Sequence, residues 1–144
     1  MIQVYPDEGL TTLLKIIARN DGNGLLWALF VNDVEPATDN ELADFTLSAA
    51  WGQVTLDDTD FVLEQVVANV GTIQGNTIDL ENDTGGAINV YGYVIIEPVS
   101  ETLLMVYCDP NGPVSVADGD SYPITPVLGN YSDLSVPIVD GGTF

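Results

Sequence analysis

Residues 87–109, AINVYGYVIIEPVSETLLMVYCD, decide how the rest of the chain is read. From Ile88 to Glu97 the side chains separate with a period of two. Ile88, Val90, Val94 and Ile96 fall on one face, and Asn89, Tyr91, Tyr93, Ile95 and Glu97 on the other. The run from Thr102 to Cys108 is apolar on both faces. Between them, Pro98-Val99-Ser100-Glu101 has the length of a hairpin connection, and Pro98 has no N–H to give a ladder. β-branched and aromatic residues crowd both runs, which disfavours a helix. The stretch predicts the central hairpin of an all-β domain.

Working back toward the N-terminus, Leu25–Val31 (LLWALFV) is a continuous apolar run between a glycine-rich turn and Asn32-Asp33. It predicts a strand buried on both faces, with a helix extension as the rival. Before it, Leu10, Leu13, Leu14 and Ile17 recur at helical spacing, with acids at the start and Gly22 and Gly24 just beyond the end. That predicts one amphipathic helix over about 8–19, with Lys15 and Arg19 four apart on its polar side. Residues 1–7 read as an extended lead-in. Residues 32–44 read as a polar loop with a helical turn at 40–43, and 45–47 and 50–56 as extended. Residues 61–68 fit a strand or an Asp60-capped helix, the valines favouring the strand.

Toward the C-terminus, DPNGP at 109–113 and DGD at 118–120 are turns flanking a short strand at 114–116. The last strand, Tyr122–Leu128, contains Pro123 and Pro126, which confine it to an edge. Residues 129–144 have no strong period and predict a C-terminal arm. Turn signals every 8–12 residues, with no repeat or linker, predict one domain over 1–144. Its expected form is a single antiparallel β-sandwich or barrel with one short N-terminal amphipathic helix and the arm.

The 144 residues carry 22 acidic side chains against Lys15 and Arg19, with no histidine, for a net charge of −20. So few cations cannot replace phosphate counterions, which argues against nucleic acid and against an anionic membrane surface. With 46% hydrophobic residues the chain can build a core, yet no apolar run approaches the roughly 20 residues that span a bilayer. The start MIQVYPDEG lacks the basic and apolar regions of a signal peptide, so synthesis in the cytoplasm is expected. Cys108, the one cysteine, sits in an apolar strand and is expected to be a small buried hydrophobe.

Histidine-dependent nucleophilic catalysis is excluded, as is a Cys/His metal cluster. A carboxylate pair for glycoside hydrolysis cannot be singled out among 22 acids. The acidic turns at 57–60, 81–83 and 118–120 offer oxygen ligands for calcium, but none has the spaced calcium-loop pattern and solvated turns explain them. No cofactor is expected. Tyr91 and Tyr93 could stack on a sugar, although alternating aromatics in a strand more often build a core.

Two stretches resemble a family of small structural proteins encoded near the head genes of tailed bacteriophages. One runs through Leu29-Phe30-Val31-Asn32-Asp33-Val34-Glu35-Pro36, Glu41-Leu42-Ala43-Asp44-Phe45-Thr46 and Trp51-Gly52-Gln53-Val54-Thr55-Leu56. It is similar to that family's L-F-x-N-x-x-x-P, x-A-D-F-T-E-A and G-Y-x-x-x-x-L elements. The other is Val90-Tyr91-Gly92-Tyr93-Val94, similar to a V-Y-G-Y-F strand. Leu103-Leu104 and Asp118-Gly119-Asp120 fall where the family has an L-L strand and a G-D turn. The chain departs from the pattern at Leu47, where an acid is usual, at Trp51-Gly52-Gln53, and in its longer end.

The resemblance implies a virion component: a capsid decoration (cement) protein on the outer surface of the head, a single antiparallel β-sandwich of jelly-roll-like type and not an enzyme. Its expected partners are the major capsid protein and copies of itself, as a trimer or other homo-oligomer. Ile2, Val4, Tyr5, Lys15, Arg19, Tyr131, Leu134, Val136, Ile138 and Phe144 are the expected contact residues. The competing expectations are a glycan- or receptor-binding module of a phage head or tail fibre, and a hydrolase with a carboxylate pair.

Overall fold

The protein is described by a computed structural model that covers residues 7–68 and 70–129. Helix α1 spans Asp7–Arg19. Beyond Arg19, Asn20 and Asp21 take left-handed backbone angles, φ 48° and 54°, and Gly24 N–H closes back on Arg19 O at 3.0 Å. Eleven strands follow: β1 Leu25–Phe30, β2 Gln53–Leu56, β3 Phe61–Val67, β4 Val70–Gly75, β5 Ile78–Glu81, β6 Ile88–Val90, β7 Gly92–Glu97, β8 Thr102–Cys108, β9 Val114–Val116, β10 Ser121–Ile124 and β11 Val127–Gly129. The protein is thus mostly β, with one short helix and antiparallel sheets throughout.

The predicted hairpin is present, with β7 paired to β8 and β1 paired to β7 on its other side. With β2 outside β1, these form a four-stranded sheet ordered β2-β1-β7-β8. The pairing does not stop there. β6 pairs with β9, β5 with β10 and β4 with β11, so residues 70–97 and 102–129 run back along each other as one interrupted ribbon. β3 adds to β4, giving a three-stranded sheet ordered β11-β4-β3.

The alternation predicted across residues 88–97 slips once. Val90, Tyr93 and Ile95 belong to one buried cluster, and Tyr91, Val94 and Ile96 pack into another. The slip falls at Tyr91-Gly92, where residues 109–113 of the opposing chain loop out between the paired Cys108 and Val114. Gly92 is required there: a Cβ would collide with the Tyr107 carbonyl and lie 3.0 Å from Cys108 Cα. Two further expectations need correction. Ala50–Gly52 is a 3-10 turn rather than strand, and the Tyr122–Leu128 strand is divided at Thr125-Pro126 into β10 and β11. Pro126 lacks the donor that would carry the ladder across.

β1 separates two cores, as its continuous apolar pattern requires. Leu25, Trp27 and Leu29 meet Leu14 and Ala18 of α1, Phe61, Ile73, Tyr93, Ile95 and Ile124. Ala28 and Phe30 meet Phe45, Val94 and Ile96 on the opposite face, under the 31–47 loop, with the Phe30 and Phe45 rings edge-on at 5.0 Å. Trp27 is fully buried, its ring centroid 5.5 Å from Tyr93 and 6.2 Å from Phe61.

Polar groups tie the turns. Asn82 is fully buried and saturated. Its amide donates to Gly86 O and Val116 O, both at 2.8 Å, and its oxygen accepts from Thr84 N–H and Thr84 Oγ1. At the other end, Glu97 accepts from Asn20 Nδ2 at 2.6 Å, Val99 N–H, Ser100 N–H and Ser100 Oγ. It therefore links the end of α1 to the β7–β8 turn. The Ser100 hydroxyl, then Asn20 and the turn amides, favour the ionised carboxylate and hold it at about 2. A depressed carboxylate stabilises the fold above its ordinary value, and that contribution is lost as pH falls toward about 2. Denaturant melts of wild type and Glu97→Gln are accordingly expected to differ at neutral pH and to converge between pH 4.5 and 2, with the wild type losing the advantage.

Candidate interaction surface

Helix α1 sits on one face of the three-stranded sheet. Leu10, Leu14 and Ala18 point inward, and a Cβ on Gly71 would lie 2.8 Å from Leu10 Cβ, so the glycine lets helix and strand approach. Thr11 and Lys15 form the flank next to β3. Lys15 Nζ lies 2.9 Å from Glu64 Oε2. The lysine's hydrogen bond, then that of Thr11, hold the Glu64 carboxyl below the usual carboxylate range. Both groups are partly exposed, so the pair orients the helix more than it stabilises the fold. Of the two expected cationic contacts, Lys15 is thus engaged with the protein's own carboxylate, and Arg19 is exposed in the last turn.

The helix is apolar over a wider arc than it buries. Leu13, Ile16 and Ile17, at i, i+3 and i+4, form one exposed row and are 44%, 51% and 53% accessible. The sequence reading placed Leu13 and Ile17 on the buried face; the structure leaves them uncovered because the sheet reaches only the Leu10–Leu14–Ala18 line.

A second apolar surface lies on the other side of the sheet. β3 sends Glu64 and Val66 toward the helix side, where they pair with Ile73 and Gly71. Leu63 and Val67, paired with Gln74 and Val70, face away and are 53% and 59% accessible. Val127 of β11 extends this surface across Gln74, and Val62, at the bulge in β3, is also exposed. Among the described residues β3 pairs with β4 alone and stands at the end of its sheet, a position that proteins usually blunt with charge or proline.

Two hollows lie on the surface of the described residues. One, of about 690 Å³, opens between the edge strand β8 and β10–β11; Tyr93, Tyr122 and Ile124 lie deepest in it, with Met105, Tyr107 and Val127 around them. Its acid, Asp109, accepts from Tyr122 OH at 2.6 Å and from Asn111 N–H. Burial, reinforced by that hydrogen bond, pushes the Tyr122 phenol above its ordinary value. The other, of about 550 Å³, lies in the 32–44 loop among Asp33, Glu35, Asp39, Glu41 and Asp44. Among the described residues, no three acidic or cysteine side chains converge on a metal position. Acids of the turns weighed for calcium accept backbone amides: Asp57 from Thr59, Asp60 from Asp57, Asp118 from Gly85. Cys108 is partly buried beside the 31–47 loop, and desolvation pushes its thiol up.

Ile2, Val4, Tyr5, Tyr131, Leu134, Val136, Ile138 and Phe144 lie outside the described residues. Ile16, Val62, Leu63 and Val67 were not singled out from sequence. The signal was present: six apolar positions in α1 are more than one neighbouring sheet can cover, and VLEQVV in β3 places valine or leucine on both faces. Compared with protein-family models, curated proteins and solved structures, the chain matches none.

Proposed function

We propose that this protein is a capsid decoration protein of a tailed phage, seated on the outside of the head as a small homo-oligomer and reinforcing contacts between capsid subunits. The observation that carries this reading is the uncovered Leu13–Ile16–Ile17 row, on the helix that also bears both cations of a chain with net charge −20. Elsewhere an acidic surface keeps copies apart; here alone apolar area and positive charge coincide. The helix row faces the major capsid protein. The Leu63–Val67 surface and the β3 edge, on the other side of the sheet, face a neighbouring copy. Two adhesive surfaces suit a protein that must grip both a shell and its own kind.

The folded-over ribbon of residues 70–129, with β1 and β3 added beside it, is read as a jelly-roll-like sandwich, the form that the sequence resemblance implies. The protein acts by binding rather than turnover. With no histidine and with Asp109 committed to Tyr122 and Asn111, the larger hollow offers no general base. Nothing favours the glycan-binding alternative, because Tyr93 is buried against Trp27 and Tyr107 and Tyr91 packs under the 31–47 loop. A surface so acidic also suits neither nucleic acid nor a membrane as partner.

Binding only the assembled shell stabilises it by mass action. Purified virions are therefore expected to contain the protein in a copy number fixed per capsomer. Particles lacking it are expected to open at lower temperature or under milder osmotic shock. Its absence from purified virions contradicts the proposal.

A further inference from the structure

We infer that two copies of this chain pack face to face through the outward side of the β11-β4-β3 sheet, related by a two-fold axis that crosses the strands at Gln65. The inference rests on the reading above of a small homo-oligomer and supplies its geometry. The register lays that side out in rows: Leu63 beside Gln74 and Val127, Gln65 beside Thr72, and Val67 beside Val70. None of these side chains is ionisable, in a chain with 22 acids. The acid of β3, Glu64, lies on the opposite side, where Lys15 meets it at 2.9 Å. Charge returns where the strands end, at exposed Asp60 before β3 and exposed Asp79 after β4.

A partner for this face must itself be uncharged, since a charge buried here would lose water without gaining a counter-charge. Copies with a net charge of −20 repel one another through their acidic sides. They can meet here without bringing charges together, and the face is its own complement. The two-fold places Leu63 of one copy over Val67 of the other and sets Gln65 beside its own mate, two amides that both donate and accept. The direction of α1 agrees. Leu10 stands at Gly71, which pairs with Val66, and Lys15 stands at Glu64, so the helix runs along the strands. At roughly 100° per residue, the Leu13–Ile16–Ile17 row lies on the flank opposite Lys15 and points across the strands, away from β3. An axis that crosses the strands leaves that direction unchanged, so both helix rows face the same way, as seating on one shell requires. Three short strands make a small interface, and a Kd on the order of 100 μM is expected. Neighbours held on a shell meet at effective concentrations near millimolar, where a pair this weak forms.

Sedimentation equilibrium of the full chain, with no capsid present, tests this. The wild type is expected to dimerise, about threefold or more tightly when salt rises from about 0.05 to about 0.5 M, because screening weakens repulsion between acidic copies. Leu63→Asp/Val67→Asp is expected to remain monomeric with an unchanged circular dichroism spectrum. A photoreactive residue in place of Gln65, in an equal mixture of isotopically light and heavy chains, is expected to give mixed light–heavy links to residues 62–67 or 70–74; should the double variant fail to fold, these links decide. A wild type still monomeric at millimolar concentration overturns the inference. So does association that salt weakens, which points to the cations of α1, and so do links confined to one chain or to other parts of the second copy. Each of these results is separate from the protein's presence in purified virions, which decides the reading on which the inference rests.

Discussion

Trp27→Ala is expected to destabilise the protein by about 3–5 kcal/mol, the range for deleting a large buried aromatic. Trp27 is fully buried where α1 and both larger sheets meet, against Phe61 from β3 and Tyr93 from β7. No single neighbour can collapse into the space it leaves, because each is held by its own strand pairing. With total stability typically about 5–15 kcal/mol, the variant stands near the limit of folding, with a melting temperature lowered on the order of 15 °C. Trp27→Phe separates two contributions. The Trp27 Nε1–H is buried and finds no acceptor among the described residues. Phenylalanine removes that unpaired donor while keeping a ring between Phe61 and Tyr93, so its loss should be well under half that of alanine. Chemical denaturation of the three proteins measures both steps; equal losses for Ala and Phe would show that the indole's size, not its ring contacts, sets the cost.

How far the sequence carried is best judged strand by strand. The 88–108 hairpin, α1 and the doubly buried β1 were legible because burial on a sheet face or helix stripe imposes its period on the residues directly. The slip at Tyr91-Gly92 was not, because its cause is across the ladder: the partner chain loops out through residues 109–113, and only the register shows that. Nor was the continuous pairing of 70–97 with 102–129, since β4 and β11 lie far apart in sequence and no local pattern names a strand's partner. The candidate surface was legible in part. Lys15 and Arg19 stood out because they are the only cations. Leu13 and Ile17 were misassigned because periodicity shows which residues are apolar, not which arc a neighbouring sheet covers. For Leu63 and Val67 the difficulty was greater: both faces of β3 carry apolar residues, and only the side taken by α1 decides which is exposed.

The adhesive role of α1 can be measured without disturbing the fold. Ile16 and Ile17 are each more than half exposed and absent from both buried clusters, so Ile16→Asp/Ile17→Asp should melt within a few degrees of wild type. At a buried interface the same changes would leave two carboxylates without partners and add charge to a chain already at −20. Co-sedimentation with heads stripped of the protein is the direct measurement. The predicted result is binding weakened about 100-fold, close to 2.7 kcal/mol, by a variant whose circular dichroism is unchanged. A folded variant that binds stripped heads within about twofold of wild type would contradict the assignment of this helix as the surface that grips the capsid.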